Sequence, residues 1–278
     1  MKGIVQMFAP ICLLLCWMLP VCSKEIRSLV RRPEADQMSM AHDAVDDMYF
    51  NCNETMAKRI KDKYFKKENT GKFAKAWKTA KQCVNARLKL KQKGDEALTR
   101  DHIQAICVYT GQFSETLNNH IKKGRSTYRT SFPYHSLHFW LTSAVQILSN
   151  TNCHTSYRRT DRALRGSVNQ IMRFGSFASS SKKKTLEQFG KKTCFKIQTC
   201  YGAFLKHSSS LGKAEMEVLI PPYEKFKIVK ETRGLEVKGL EDCEVVYTLE
   251  SAGIESNLNC NAAYESDGSS TGGAKETF

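Results

Sequence analysis

The chain has 278 residues, enough for one large domain or two small ones. Lysine and arginine number 43 against 28 aspartates and glutamates, a net charge of +15 at pH 7, and such a field attracts polyanions and phosphate-bearing substrates. The cations are spread along the chain without a helix-turn-helix, zinc-finger or aromatic–basic stacking motif, which argues against specific nucleic-acid binding, and the scattered histidines with no C-x-x-C pair argue against a metal site.

Residues 1–23 read as a signal peptide. Lys2 supplies the leading charge, an apolar run spans Ile4 to Leu19, and Val21-Cys22-Ser23 offers small residues before a cut. The run is too short and too proline-broken for a membrane span. Removing it leaves 42 lysines and arginines against 28 acids, and eight cysteines: Cys52, Cys83, Cys107, Cys153, Cys194, Cys200, Cys243 and Cys260. An even count behind a leader implies disulfides. Residues 24–40, with Arg31-Arg32-Pro33, are expected to be a mobile basic lead-in.

From 41 to 150 the periodicity is helical. Ala44, Met48 and Tyr49 are spaced for one helix face, as are Phe73, Trp77 and Ala80, and Ile103, Ile106, Cys107 and Thr110 make another. Ser136–Ser149 is the most apolar helix and is expected to be buried on most sides. Asn53-Glu54-Thr55 is a glycosylation sequon that would place Asn53 at the surface. Over 151–262 short β-type runs take over: 155–158, 170–178, 193–201, 215–220, 223–229 and 243–249, separated by Gly, Ser, Lys and Pro clusters. Helices first and strands afterwards indicate an α+β fold in one domain over 41–262. Pairing Cys52–Cys260 and Cys153–Cys200 would staple the first half to the last and strand to strand, although spacing does not fix connectivity. Residues 263–278 are a flexible polar tail. No apolar segment follows, so no membrane anchor is expected. The expectation is a secreted, extracellular protein; the sequence leaves its oligomeric state open, with a monomer the favoured reading, and no coiled-coil repeat is seen.

The stretch Ala214-Glu215-Met216-Glu217-Val218-Leu219-Ile220-Pro221-Pro222 carries the densest chemistry. Read as a strand, it sets Glu215 and Glu217 side by side, about 6–7 Å apart at Cα, and turns Met216 and Val218 into a core. The prolines end the ladder. Aligned carboxylates repel each other. They suit chemistry at a sugar, where one stabilises developing positive charge and the other manages a proton.

With Tyr157-Arg158 ending the first β-run, and Arg173-Phe174-Gly175-Ser176-Phe177-Ala178-Ser179-Ser180-Ser181 following, the Glu-x-Glu pair completes an ordered arginine, serine and Glu-x-Glu set. This set resembles the signature of the vertebrate secreted and cell-surface arginine-specific mono-ADP-ribosyltransferases. The resemblance extends from about Asp46 to Cys260. It includes Asp46-Asp47-Met48-Tyr49, Ala105-Ile106-Cys107-Val108-Tyr109-Thr110, Leu137-His138-Phe139-Trp140-Leu141-Thr142, Ile197-Gln198-Thr199-Cys200-Tyr201-Gly202-Ala203 and Glu217 through Phe226.

It implies a helical region packed on a strand-rich, two-sheet NAD-binding core. It also implies an enzyme that transfers ADP-ribose from NAD to arginines of extracellular or surface proteins, releasing nicotinamide, with NAD as co-substrate and no metal. Arg158 would hold NAD through phosphate and ribose. Ser179 would aim Glu217, Glu217 would stabilise the charge developing on the ribose, and Glu215 would orient and deprotonate the acceptor guanidinium. Phe189 is the candidate to stack on nicotinamide, and Lys191 or Lys192 to meet a phosphate.

Three departures stand out. Arg159 occupies a position where the family has Gly, so its side chain must point away for the backbone to meet the cofactor. The turn 208–213 lacks the family's aromatic residue, with Leu211 its only apolar side chain. Cys83, Cys107, Cys194 and Cys243 exceed the family's two disulfides, and Cys194–Cys243 and Cys83–Cys107 are further candidate pairs. The alternatives are an NAD glycohydrolase with little acceptor transfer, or a catalytically inactive basic protein that binds anionic glycans. Weak polyanion binding is expected of the basic surface in any case.

Overall fold

The computed structural model describes residues 35–90, 95–149, 152–205 and 216–264. The signal segment, Glu215, the turn 208–213 and all but the first two residues of the tail lie outside these. The short strand β1 (Asp36–Gln37) pairs in parallel with residues 164–165. Met38 behind it is buried, and its carbonyl accepts from Gln170 Nε2 at 2.6 Å. The last residues of the basic lead-in are therefore docked, where mobility was expected, because an extended backbone finds a strand edge and an apolar side chain finds a core.

Residues 41–52 are not helical, contrary to the spacing of Ala44, Met48 and Tyr49. Ala41, Tyr49 and Asn51 all have positive φ (48°, 57° and 66°). The cause is a pair of buried aspartates that bind groups far along the chain, while Asp47 also takes up the Tyr49 amide from within the segment. Asp46 accepts from the amides of Asn257 and Leu258, each at 3.0 Å, and pairs with Arg173 Nη1 at 2.7 Å. Asp47 accepts from the amides of Tyr49 (2.8 Å) and Cys260 (2.9 Å) and from the Tyr128 hydroxyl (2.8 Å). Sequence-distant ends are thereby tied at one carboxylate pair.

Helices follow. α1 (Asn53–Arg59) passes through a π-helical turn (Ile60–Tyr64) into α2 (Phe65–Glu68). α3 (Gly71–Thr79) and α4 (Lys81–Leu88) come next. α5 (Arg100–Val108) starts at a reciprocal cap between Thr99 and His102 and runs through a second π-helical turn (Tyr109–Phe113) into α6 (Ser114–Lys123). α7 (His135–Leu148) is buried along most of its length, as its apolar run predicts. Its N-terminus is capped from a distance. Glu68, 5 % exposed, accepts from the amides of His135 and Ser136 at 2.8 and 2.9 Å, which satisfies donors the helix leaves over and sets a negative charge at the positive end of its dipole.

The strands are β2 (His154–Thr160), β3 (Leu164–Arg165), β4 (Ile171–Met172), β5 (Ala178–Ser181), β6 (Thr193–Thr199), β7 (Ala203–Phe204), β8 (Glu217–Ile220), β9 (Glu224–Thr232) and β10 (Val245–Ile254). Eight form one sheet in the order β4-β9-β10-β6-β2-β5-β8-β7, and β1 with β3 makes a second, two-stranded sheet. The helical region packs on the β5–β8–β7 end through Phe177, Ala203, Leu205 and Leu219. A second core of Phe195, Ile197, Phe226, Ile228, Tyr247 and Leu249 lies under the other end.

The run 170–178 divides into two strands, because Arg173 dives to Asp46 between them. Gly175 (φ +65°) lets the chain pass Ala41 so closely that an added Cβ would lie 2.4 Å from that residue's own. Four disulfides join Cys52–Cys260, Cys83–Cys107, Cys153–Cys200 and Cys194–Cys243.

Candidate active site

A cleft of about 590 Å³ opens between the π-helical turn with α6 on one side and β2, β5 and β8 on the other. Its size is that of a pocket for a cofactor-sized ligand. Glu217, the first residue of β8, lies in its floor and is only 4 % exposed. The backbone just before it leaves strand geometry: Met216 has φ +46°. The strand therefore begins at Glu217, one residue pair later than the alternation at Glu215-Met216 suggested, and Glu217 through Ile220 are all buried.

Antiparallel pairing of β5 with β8 sets Ser181 opposite Glu217 and Ser179 opposite Leu219, so the three polar side chains share one face of the sheet. The Ser179 hydroxyl donates to Glu217 Oε1 at 2.8 Å. Ser181 Oγ accepts from the Lys183 amide at 2.8 Å, which fixes the turn leaving β5. Ser180, on the opposite face, donates to the Val218 carbonyl and lies 2.9 Å from Ser156 Oγ. Arg158, on β2, donates from Nη1 to the Ser179 carbonyl at 2.5 Å, and its guanidinium carbon lies 6.0 Å from the centre of the Phe174 ring. Burial lowers its pKa from the ordinary arginine value, with Arg162 adding repulsion. A guanidinium stays protonated through such a shift.

Sequence reasoning missed the opposite wall. The Tyr109 hydroxyl donates to the Phe177 carbonyl at 3.0 Å. Asn118 Nδ2 reaches both that carbonyl (3.0 Å) and the Tyr109 oxygen (3.2 Å). Burial pushes the Tyr109 phenol up, and Glu217 adds to the rise. Among the described residues, Lys122 and Lys183 are the lysines that line the cleft. Burial, followed by repulsion from Arg162 and Arg158, lowers Lys122 from its ordinary value. The available signal was Gly111 interrupting the helical run just after Tyr109. It sits at ψ −118° within the π-helical turn, a deviation that often marks functional sites.

One expectation about the loop 182–192 changes, that Lys191 or Lys192 meets a phosphate. Phe189 lines the cleft, 47 % exposed, on a short 3₁₀ turn (Glu187–Phe189). Lys191 instead bridges Glu187 (3.0 Å) and Asp242 (3.3 Å), and neither it nor Lys192 is among the lining residues. Arg159 borders the cleft but sends its guanidinium elsewhere. Nη1 contacts both Asp242 oxygens at 3.0 and 2.9 Å, Nη2 donates to the Gly239 carbonyl and Nε to the Lys184 carbonyl. Its charge is thus spent on the protein and cannot serve as a cofactor contact. Asn53, exposed at the start of α1, donates from Nδ2 to Ser143 Oγ at 3.1 Å. Glu215 lies outside the described residues.

A family model described as NAD:arginine ADP-ribosyltransferase matches residues 38–239. The chain is 32% identical over 239 residues to the erythroblast NAD(P)(+)–arginine ADP-ribosyltransferase of Gallus gallus, covering 82% of this chain and 76% of that one. It is 34% identical over 206 residues to T-cell ecto-ADP-ribosyltransferase 1 of Mus musculus, covering 69% and 68%. Among solved structures, the eukaryotic mono-ADP-ribosyltransferase ART2.2 superposes with a TM-score of 0.70 at 30% identity over 81% of this chain and 98% of that one. A mutant of the same enzyme in complex with NAD gives 0.69 at the same identity.

Proposed function

The chain belongs to the NAD:arginine ADP-ribosyltransferase family, and on that premise we propose that Arg158, Ser179, Glu215 and Glu217 carry the transfer of ADP-ribose from NAD to arginine side chains of extracellular proteins, releasing nicotinamide. The observation that carries this reading is the Ser179–Glu217 bond: a buried carboxylate, aimed by a hydroxyl at 2.8 Å, in the floor of a cleft that Arg158, Lys122 and Lys183 also line.

The residues present fit NAD. Arg158, Lys122 and Lys183 bring positive charge for a diphosphate, Phe189 offers an exposed ring for nicotinamide, and with its side chain turned away Arg159 presents only backbone. NAD supplies the cleavable bond between ribose and nicotinamide. Glu217 sets its charge where positive charge develops at the ribose, and being already desolvated and oriented it needs no reorganisation when that happens. Ser179 holds that carboxylate in one rotamer. Glu215 takes the proton that keeps a guanidinium, with a pKa above about 12, from acting as a nucleophile.

The named relatives include ecto-enzymes, and four disulfides fit an oxidising compartment. We assign the protein to the extracellular space in secreted form, processed after residue 23, with 41–262 as the catalytic domain, Asn53 as a glycan acceptor and residues 263–278 as a tail.

The test incubates purified, non-reduced protein with labelled NAD and a small guanidino acceptor, following nicotinamide release and acceptor labelling separately. Labelling in the wild type that vanishes in Glu217→Gln supports the reading. Nicotinamide release without labelling makes the protein a glycohydrolase, and neither activity in folded protein removes the catalytic assignment.

A further inference from the structure

One stretch of the helical half is densely basic. Between Asn53 and Leu90 stand twelve lysines and arginines against three acids. One of these acids, Glu68, is turned inward to cap α7. Part of this charge converges on a groove built from three segments. Arg59 and Lys63 come from α1 and its π-helical turn, Arg129 from the loop before α7, and Asn261 and Tyr264 from the C-terminal segment stapled there by Cys52–Cys260.

The hollow they line measures about 250 Å³, and no carboxylate stands among its described lining residues. It continues past Arg129 and Asn261 into a second hollow of about 500 Å³, where Arg125 stands and Asp43 is the acid among the described lining. The groove is braced from below. The Arg59 guanidinium carbon lies 5.5 Å from the centre of the Tyr64 ring, and the Tyr64 hydroxyl donates to the Ala262 carbonyl at 3.2 Å.

We propose that this groove binds a linear sulfated glycan of the heparan sulfate class, with Lys63, Arg129 and Arg125 spaced along it as sulfate contacts. Guanidinium and ammonium donors arranged in a track match a polymer whose anionic groups recur at intervals. Tyr264, 58 % exposed, offers a ring face to a sugar, and the Asn261 amide can both donate to and accept from hydroxyls. A nucleic-acid strand would need a series of stacking rings, whereas the described lining exposes one at its surface. Sulfated glycans are also the linear polyanions that an extracellular protein meets. The groove shares no described lining residue with the catalytic cleft, so both can be filled at once, and glycan binding would hold the enzyme at matrix or cell surface.

The test measures binding of the full mature protein to a size-defined heparin oligosaccharide over a range of salt. Wild type is expected to bind at about 150 mM salt. Lys63→Ser/Arg129→Ser is expected to bind at least about tenfold more weakly with a shallower salt dependence, as two ion contacts are lost. Lys75→Ser/Lys78→Ser removes the same charge from exposed positions on α3, outside the groove, and should weaken binding less than about threefold. Turnover of NAD in both variants, unchanged from wild type, reports intact folding. Equal weakening by the two pairs would reduce the effect to net charge and overturn the groove. Absence of wild-type binding overturns the site, and single-stranded DNA of matched length binding as tightly as heparin overturns the glycan.

Discussion

Arg159 and Asp242 form a forked ion pair, 3.0 and 2.9 Å from one guanidinium nitrogen to the two carboxylate oxygens, on the far side of β2 from the Arg158 guanidinium. The pair acts as a bracket. Arg159 Nε holds the Lys184 carbonyl, Nη2 holds the Gly239 carbonyl, and Lys191 adds a second cation to Asp242. The loop that carries Phe189 over the cleft is thereby pinned to the loop before β10. In Asp242→Asn the bracket loses its charge and one of its two strong acceptors. The Michaelis constant for NAD should rise about tenfold, roughly 1.4 kcal/mol, with kcat within about threefold of wild type, since what is lost is uniform binding. A fall in kcat with an unchanged Michaelis constant would count against a positioning role.

Glu217 and Ser179 should separate in the opposite way. Glu217→Gln keeps the shape and removes the charge, so kcat should fall about 100- to 1,000-fold, the usual cost of losing one preorganised electrostatic contact. Ser179→Ala leaves the charge but frees the rotamer, and a smaller loss of about tenfold in kcat is expected. Single-turnover nicotinamide release with saturating NAD reads both. Equal losses would mean that the serine does more than aim the carboxylate.

The relation of Ser179 to Glu217 across β5 and β8 was legible only through the resemblance of the ordered arginine, serine and Glu-x-Glu set to a family signature, while the order of helices before strands and the deep burial of α7 were legible because each rests on a local pattern: a helical apolar period, a two-residue strand period. The non-helical course of 41–52 was not, since it depends on Asp46 and Asp47 meeting donors more than 200 residues away. The same reason hid the Tyr109–Asn118 wall, which exists only once a π-helical turn faces the Phe177 carbonyl. The sequence showed that Arg159 had to point away from the cofactor, but its destination needed the loop around Asp242 to be folded over β2. Lys191 misled because a cation next to a predicted phosphate site was read without the two carboxylates that claim it.

Stability against pH should carry the mark of two buried groups joined through Tyr49. The Tyr49 hydroxyl lies 2.7 Å from His138 Nδ1 and 3.1 Å from the Tyr128 hydroxyl, which donates to Asp47. Burial pushes Asp47 up to about 6 and His138 down to about 3. Between the ordinary aspartate value near 4 and pH 6, the native state keeps a proton on Asp47 that the unfolded chain has released, so this contribution is present at low pH and is lost as pH rises toward 6. His138 works in reverse. The unfolded chain takes up a proton below about 6.5 and the native state does not until about 3, so stability is lost as pH falls through that window. From pH 4 to 6 the two slopes oppose. In His138→Asn only the Asp47 slope remains, and relative to wild type the variant should gain up to about 1.4 kcal/mol of stability for each unit the pH falls. Urea midpoints at pH 4, 5 and 6 would show this, and parallel profiles would reject it.

The disulfide Cys194–Cys243 should act on NAD binding through the same bracket. Cys243 follows Asp242 directly, and its sulfur sits with Leu240 and Val246 in a small buried cluster under the loop. Its backbone is tied in as well, donating to the Leu240 carbonyl at 3.0 Å and accepting from the Gly234 amide at 3.1 Å. Replacing both cysteines by alanine releases a 49-residue separation, for which chain entropy suggests a loss of about 4 kcal/mol in stability. At a temperature where the variant remains folded, the loop holding Asp242 loses its covalent anchor while the ion pair persists, so the Michaelis constant should rise less than in Asp242→Asn. If both changes act by loosening one bracket, combining them should raise it by less than the product of the two separate effects, a coupling expected of groups that share partners. Full additivity in the double-mutant cycle would place the disulfide's contribution in global stability alone and leave Arg159–Asp242 as an independent clamp.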